Sequence, residues 1–423
     1  MLRLYEIEKN EFDNFASNNK IRNFYQTSEY GDWMEKRGYK CLYLALMDEQ
    51  KDIHAAALVI YKNILGKYKY GYAPRGFLIN YNDENIFEEF TENIKMFLKA
   101  KDFVYLKIDP PIIYKSRTKR GQIIKGAKDN TKLIERMKNL GYIHLGFNNN
   151  FEALKPRWNA VIKLDKNERD MFKSFSKGVR NKINNAMRKG LKVYKGTIDD
   201  IPIFYEFIRK NYDRPISYYY DYYEIFKKRD MIDLYLVKID TISYLETSKY
   251  LYDIESYRNM EVSESMKFTH TNKSLLNKKI ESDKLLNVYK KDVELATTLS
   301  REYPNGFIIG GSMVIKYNKQ LQFLIDGIDD AYRSFNPNHL LKWTIIKEYL
   351  NSNYYYIDLN GIVGNFNKEN NQYYGLNKFK LGFNSNVIEY IGEFDLPINP
   401  TLYHIIQKSS ALGFNKKIGT NKK

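Results

Sequence analysis

The chain has 423 residues, 43% of them hydrophobic, and carries 68 basic against 51 acidic side chains for a formal net charge of +17. That length exceeds one ordinary core and points to two or three domains, while the apolar content excludes wholesale disorder. The lone cysteine, Cys41, excludes an internal disulfide and a Cys-rich zinc site, and five histidines without ligand spacing leave no metal centre to expect.

The positive surplus selects polyanionic partners, whether nucleic acid, anionic lipid or a phosphorylated substrate, without choosing among them. No apolar run resembles a signal peptide or approaches the roughly 20 residues of a membrane span, so a cytoplasmic protein is expected. In chain order, strands are predicted over 42–46 and 55–61 around a polar turn at 48–52. A helix over 88–99 and a strand over 103–109 follow, the strand stopped by Pro110 and Pro111. The next helix, 131–140, ends at Gly141.

A second unit of the same kind starts near Ala160, with a strand over 161–164 and a strongly basic helix over 168–189. A helix after Ile201 then leads into a tyrosine-rich loop. A hairpin is predicted from strands 307–315 and 321–325 around Tyr317, Asn318 and Lys319, then a helix over 340–350 and a strand over 354–359. Between Pro215 and Pro304 stands neither Pro nor Gly except at the ends. Leu286, Tyr289, Val293 and Ala296 recur there at 3-4-3 spacing. With the helical pattern of 244–257 and a polar turn near His270, they predict an antiparallel, coiled-coil-like hairpin over 241–300. The fold class expected is α/β (α+β): two tandem GNAT-like acyltransferase domains. The first is 1–158 completed by 393–423, and the second is 159–392 with the hairpin inserted.

Six clusters carry chemistry. Gln26-Thr27-Ser28 opens a capped helix with Trp33 packed inward and Lys36 outward. Tyr72-Ala73-Pro74-Arg75-Gly76 holds Arg75 on a tight turn, either to clamp a phosphate or to staple the turn to a carboxylate. Asp109 ends a strand just before Pro110, where α/β domains place working groups, or it caps the following segment. Pro156-Arg157 precedes the basic helix, whose Ile183, Ala186 and Met187 form an apolar edge. Lys177, Arg180, Arg188 and Lys189 supply a positive field there that fits polyphosphate contact. Arg214 stands four residues before Tyr218, a pairing able to grip a diphosphate and an adjoining ring. Last come Asp358-Leu359-Asn360-Gly361-Ile362, then Lys380 between Phe379 and Phe383, and Gly392-Glu393.

In their order along the chain these clusters resemble the Fem (FemABX) family of non-ribosomal peptidyltransferases. Two departures are Thr27 between Gln26 and Ser28, and Asn360 where the family has Gly. The resemblance implies transfer of an amino acid from aminoacyl-tRNA to the stem-peptide amine of a peptidoglycan precursor, UDP-MurNAc-pentapeptide or lipid II, without a cofactor. It implies Lys380 as the charge facing the oxyanion and Asp109 as the group orienting the amine or taking its proton. Lys36, Arg75, Arg214, Tyr218 and Glu393 would hold the precursor, and the basic helix would meet tRNA. Lys416, Lys417, Lys422 and Lys423 could touch anionic lipid. Two alternatives remain open: a coenzyme-A-dependent N-acyltransferase, whose pyrophosphate-cradling turn the segment 332–338 lacks, and a non-catalytic RNA-binding protein.

Overall fold

The computed structural model describes residues 2–64, 66–268, 273–367, 369 and 371–411. The turn near His270 and the four lysines after 412 lie outside them. The first half of the chain runs β1 (Arg3–Glu6), α1 (Lys9–Asn18), α2 (Ser28–Lys36), β2 (Lys40–Met47), β3 (Ile53–Asn63) and β4 (Lys69–Ala73). It goes on through α3 (Glu84–Ala100), β5 (Phe103–Ile108), α4 (Thr131–Asn139) and β6 (Ile143–His144). The second half opens with β7 (Trp158–Lys163), α5 (Glu168–Ser174), α6 (Lys177–Arg188), β8 (Leu191–Gly196), α7 (Ile201–Ile208), α8 (Ile216–Lys227) and β9 (Ile232–Ile239). After the long helices α9 (Thr241–Phe268) and α10 (Lys273–Glu302) come β10 (Phe307–Tyr317), β11 (Gln320–Ile328), α11 (Pro337–Tyr349) and β12 (Tyr356–Ile362). The chain closes with α12 (Tyr374–Leu381), β13 (Asn386–Glu389), β14 (Phe394–Pro397) and α13 (Pro400–Ala411).

Two seven-stranded sheets result, ordered β1-β2-β3-β4-β5-β14-β6 and β8-β9-β10-β11-β12-β7-β13. Read side by side they are the same sheet. Every neighbouring pair is antiparallel except one, β4–β5 in the first and β11–β12 in the second, at the same place in each order. The fold class is therefore the expected one, α/β with two tandem acyltransferase-type halves. Strand β14 from the C-terminus supplies the sixth position of the first sheet.

Each sheet buries its own core, and a third core belongs to both halves. Phe12, Phe24, Trp33 and Tyr43 of the first half pack there with Phe204, Tyr219, Tyr222, Phe226 and Met313 of the second. Aromatic rings dominate the seam; Trp33 meets Tyr218 and Tyr222 at centroid separations of 5.1 and 4.8 Å, edge to face. Such pairs add about 0.5–1.5 kcal/mol each to the burial of the rings.

The helices differ from expectation at two places. The basic stretch 168–189 is two helices, because Phe175 is extended at the end of α5 and the Ser176 hydroxyl caps α6 by accepting from Val179 N. Within α6 the buried edge is Val179, Ile183 and Ala186, while Met187 is 56% exposed. The tyrosine-rich segment after Pro215 is the helix α8, not a loop, since Tyr219, Tyr222, Tyr223 and Phe226 recur at helical spacing and are buried.

The inserted α9–α10 hairpin follows the expected seam: Ser282, Ala296 and Leu299 are buried, and Leu286, Tyr289 and Val293 half-buried. One polar layer interrupts it. Ser282 donates to Glu255, which is only 5% exposed, at 2.6 Å, a device that fixes register between paired helices. The hairpin is anchored at its base, where Asp292 accepts from Lys189 at 2.8 Å and from the Tyr244 hydroxyl at 3.0 Å.

Candidate functional site

The site is built at the C-terminal end of the single parallel pair of each sheet; β4 and β5 stay paired to their ends, whereas β11 and β12 part after Gln322 and Asp358. In the first sheet Arg75 follows β4 and Asp109 follows β5, side by side at the strands' C-terminal ends. The Arg75 backbone, at φ +51°, donates its N–H to Asp109 Oδ1 at 2.7 Å. Its guanidinium lies 3.7 Å from Asp109 Oδ2, donates to Pro156 O at 2.8 Å and covers the Tyr390 ring at 4.6 Å. Both residues are buried, at 6% and 2% exposure. Burial pushes the Asp109 carboxyl above its usual range against the pull of Arg75. Desolvation is the largest influence on the arginine and draws it down, but Asp109, Tyr390, Tyr72 and Tyr25 together leave it raised. Of the two roles open for Arg75, the pairing seen with Asp109 is the stapling one.

Three motifs of the sequence turn out to hold this corner. The Gln26 amide, fully buried, donates to Leu58 O and Pro74 O and accepts from Leu58 N, so it ties the arginine turn to β3. Thr27 caps α2 by accepting from Tyr30 N, which accounts for the residue between Gln26 and Ser28. Arg157 is buried against Glu389 and donates to Asn148 O at 2.9 Å. Glu393, 8% exposed, accepts from Leu154 N at 2.7 Å, and burial raises its carboxyl.

The second end carries a different set. Asp358 on β12 accepts from Asn159 Nδ2 and from Asn360 N, each at 2.7 Å. Asn360 has φ +66°, a conformation that favours Gly and that Asn tolerates better than other residues, so the departure at 360 leaves the bulge intact. At Gly361 a Cβ would stand 2.7 Å from Pro156 Cγ, so only Gly lets β12 approach the linker. The carbonyl of Gly361 accepts from Lys380 Nζ at 2.7 Å. Lys380 rides on α12, half-buried; burial draws its ammonium down to about 8, opposed by Asp326 and Asp358 and assisted by Lys342.

Behind it, Lys342 is 1% exposed on α11, pairs with Asp326 and rests its ammonium 3.7 Å from the Phe323 ring. Asp326 also accepts from Ser312 Oγ at 2.6 Å. Burial lifts the Asp326 carboxyl, yet Lys342, Ser312 and Lys380 hold it below its usual range. Phe379 and Phe383 flank Lys380 in sequence and pack against His339, whose imidazole burial lowers to about 4. Asp358 senses both Lys380 and Arg75, and Tyr390 senses Asp358, Arg75 and Asp109. The two ends therefore form one electrostatic unit without a direct Lys380–Asp109 pair.

At the junction of the halves, Tyr218 is faced by two guanidinium groups, Arg37 at 4.4 Å and Arg214 at 4.5 Å. Arg214 is exposed and forms no ion pair among the described residues. Lys36 is pinned at 2.8 Å to Asp221 of α8, which also holds Arg37 at 3.3 Å, so Lys36 bridges the halves as well as facing solvent. Trp33 Nε1 and Tyr222 Oη lie buried beside Tyr218 with no hydrogen-bond partner.

Reading the sequence missed Lys155. Its ammonium sits 3.9 Å from the Tyr25 ring centroid and 5.7 Å from that of Tyr30. Burial lowers it to about 8 in the fields of Asp109, Arg75, Arg214 and Glu393. A ring face returns about 0.5–2 kcal/mol, less than the several kcal/mol that desolvating an ammonium costs. The signal available was its place next to the Pro156-Arg157 motif.

Of the basic helix residues, Lys177 and Arg188 are exposed, Arg180 is half-buried, and Lys189 is committed to Asp292. The start of α6 leans on the Lys380 helix, with Ser176 N donating to Gly382 O at 2.9 Å. Lys189 is thus a structural anchor; the others remain at the surface.

Two sheets of matching strand order, each with one parallel pair, make this a two-lobed α/β protein. The chain belongs to the FemAB family, whose model matches residues 7–410. It is 26% identical over 414 residues to "Aminoacyltransferase FemA" of Staphylococcus aureus strain MRSA252, covering 95% of this chain and 97% of that protein. It is 25% identical over 419 residues to the protein of the same name from Staphylococcus epidermidis strain RP62A, covering 96% and 98%. In fold it is similar to the crystal structure of FemX, with a TM-score of 0.75 over 96% of this chain and all of that one at 21% identity.

Proposed function

We propose that this FemAB protein transfers an amino acid from aminoacyl-tRNA to a primary amine on the stem peptide of a peptidoglycan precursor, UDP-MurNAc-pentapeptide or lipid II, so forming an interpeptide bridge. The observation that carries the mechanism is Lys380, half-buried at the splay of β11 and β12 and within reach of Asp326 and Asp358. The donor ester is already activated, so no enzyme nucleophile is required. The amine nitrogen attacks the ester carbonyl, the C–O bond to the ribose breaks, and the proton lost by the amine is taken up by the ribose oxygen. Protonated Lys380 stabilises the negative charge that develops on the carbonyl oxygen.

Asp109, enclosed by Arg75, orients rather than accepts a proton; its rigid carboxylate and the raised Glu393 shape the floor on which the stem peptide lies. Arg214 and Tyr218, with Lys36 beside them, grip the precursor's phosphates and sugar. Lys177, Arg180 and Arg188 present cations to the tRNA next to the helix that bears Lys380. Both substrates are cytoplasmic or face the cytoplasm, which places the enzyme there, with a lipid-linked acceptor bringing it to the membrane surface. No described helix is long and apolar enough to cross a membrane. The test is reconstitution with charged tRNAs and both precursor forms, with mass spectrometry of the product. Absence of aminoacylated precursor in every combination overturns the reading, and binding of acyl-coenzyme A would favour the rival chemistry.

A further inference from the structure

Several buried and half-buried lysines in this chain pair with acids. Lys342 pairs with Asp326, Lys189 with Asp292, Lys107 with Asp395, and Lys316 with Asp230 and Asp233. Lys155 is half-buried and is held differently. Among the described residues it has no hydrogen bond and no ion pair, only the faces of Tyr25 and Tyr30. Of the acids near it, Asp109 accepts from Arg75 N on Oδ1 and has the guanidinium 3.7 Å from Oδ2, an oxygen with no hydrogen-bond partner among the described residues, while Glu393 accepts from the backbone N–H of Leu154. Its electrostatic neighbours are two cations, Arg75 and Arg214, and two acids, Asp109 and Glu393, so that with Lys155 itself three positive groups share two negative ones. A half-buried ammonium that forms no ion pair of its own is matched to an incoming oxyanion. Fixed aromatic faces hold it in place, since Tyr25 is 8% exposed and packs on Phe24 and Tyr30.

We propose that Lys155 binds an oxyanion of the acceptor precursor, a carboxylate of its stem peptide or a phosphate of its diphosphate, between the Arg75–Asp109 corner and Arg214. This rests on the reading that the chain takes a peptidoglycan precursor. Lys155 is then a binding residue that sets acceptor affinity, distinct from the charge relief given by Lys380.

The test is calorimetric binding of UDP-MurNAc-pentapeptide, lipid II in detergent, UDP alone and free pentapeptide to the full chain and to Lys155→Met and Lys155→Arg. Lys155→Met should weaken the whole precursor about tenfold or more, with Lys155→Arg restoring most of it. In transfer assays the same variant should raise the acceptor KM with kcat little changed. A loss repeated with UDP assigns the phosphate, and a loss repeated only with the pentapeptide assigns the carboxylate; either supports the inference. Unchanged precursor binding by a Lys155→Met protein with wild-type thermal unfolding overturns it. Failure of the unaltered chain to bind any precursor form overturns the functional reading itself, and this inference with it.

Discussion

The C-terminal ends of the two parallel strand pairs are the same architectural position used in two ways. At β4–β5 an arginine closes on an aspartate, and both are buried. At β11–β12 two aspartates face two lysines, one sealed on α11 and one half-buried on α12. A guanidinium keeps its proton under all working conditions and bonds in a rigid fork, so the first opening is locked. An ammonium loses its proton readily once desolvated, so the second opening carries a charge that pH can remove. Duplication thus supplied two equivalent sites, of which one fixes the geometry and the other retains adjustable charge.

Breaking the lock should produce the largest effect. Asp109→Ala leaves the Arg75 guanidinium buried with no acid beside it, and its removal should cost about 3–5 kcal/mol in denaturant unfolding. A loss below about 1 kcal/mol would mean that the first opening is not held by this pair. Next in size is Lys380→Ala. Transfer should fall by about 10²–10³-fold, the usual consequence of deleting one oxyanion donor, while precursor affinity stays within about twofold. Transfer that survives would remove Lys380 from the chemistry and make the two openings equally structural.

How much of this contrast could be read in the sequence follows from which interactions are local. Strand ends, the Asn318-Lys319 turn with both residues at positive φ, and the seam of the α9–α10 hairpin were legible, because periodicity and turn chemistry act over a few residues. Asp109 was legible from its position before Pro110, but its engagement with Arg75 was not, since 34 residues separate them and only strand pairing brings them together. Asp326 obeys the same logic as Asp109, an acid late in a strand beside its parallel partner, and was passed over for want of a Pro to mark it. Lys342 stood in an apolar run, Leu340-Leu341-Lys342-Trp343, where a buried charge announces a partner. The continuous basic stretch hid the Ser176 cap, and uniform aromaticity hid α8.

The pH dependence sharpens the comparison. Lys380 titrates near 8, lowered by burial. If its charge serves the oxyanion, the rate corrected for spontaneous ester hydrolysis rises as the free amine grows, then levels off above about 8, where loss of the Lys380 proton cancels the further gain from an amine that titrates at about 10. Lys380→Arg keeps the charge at all these pH values and should go on climbing past 8 while lowering the rate at lower pH, since a planar fork replaces a point donor. A wild-type rate that climbs past 8 in parallel with the Lys380→Arg protein would remove this charge from the step.

The smallest effect expected lies outside both openings, at the junction of the halves. Arg214 carries an exposed guanidinium 4.5 Å from the Tyr218 ring, and the opposite approach to that ring is taken by Arg37, which Asp221 restrains. Of the cations there among the described residues, Lys36 and Arg37 already share that aspartate, which leaves Arg214 to meet a phosphate. Arg214→Ala should weaken the phosphorylated precursor by about tenfold, with unfolding unchanged because the side chain is solvated. Arg214→Lys should recover only part, for a lysine keeps the charge but loses the paired donors and the stacking on Tyr218. Because this contact is exposed, the deficit should shrink as salt rises, whereas the Lys380 deficit, set in a desolvated pocket, should not. Equal salt sensitivity of the two deficits would show that both cations act as surface charges, and the distinction between a gripping junction and a reacting opening would fail.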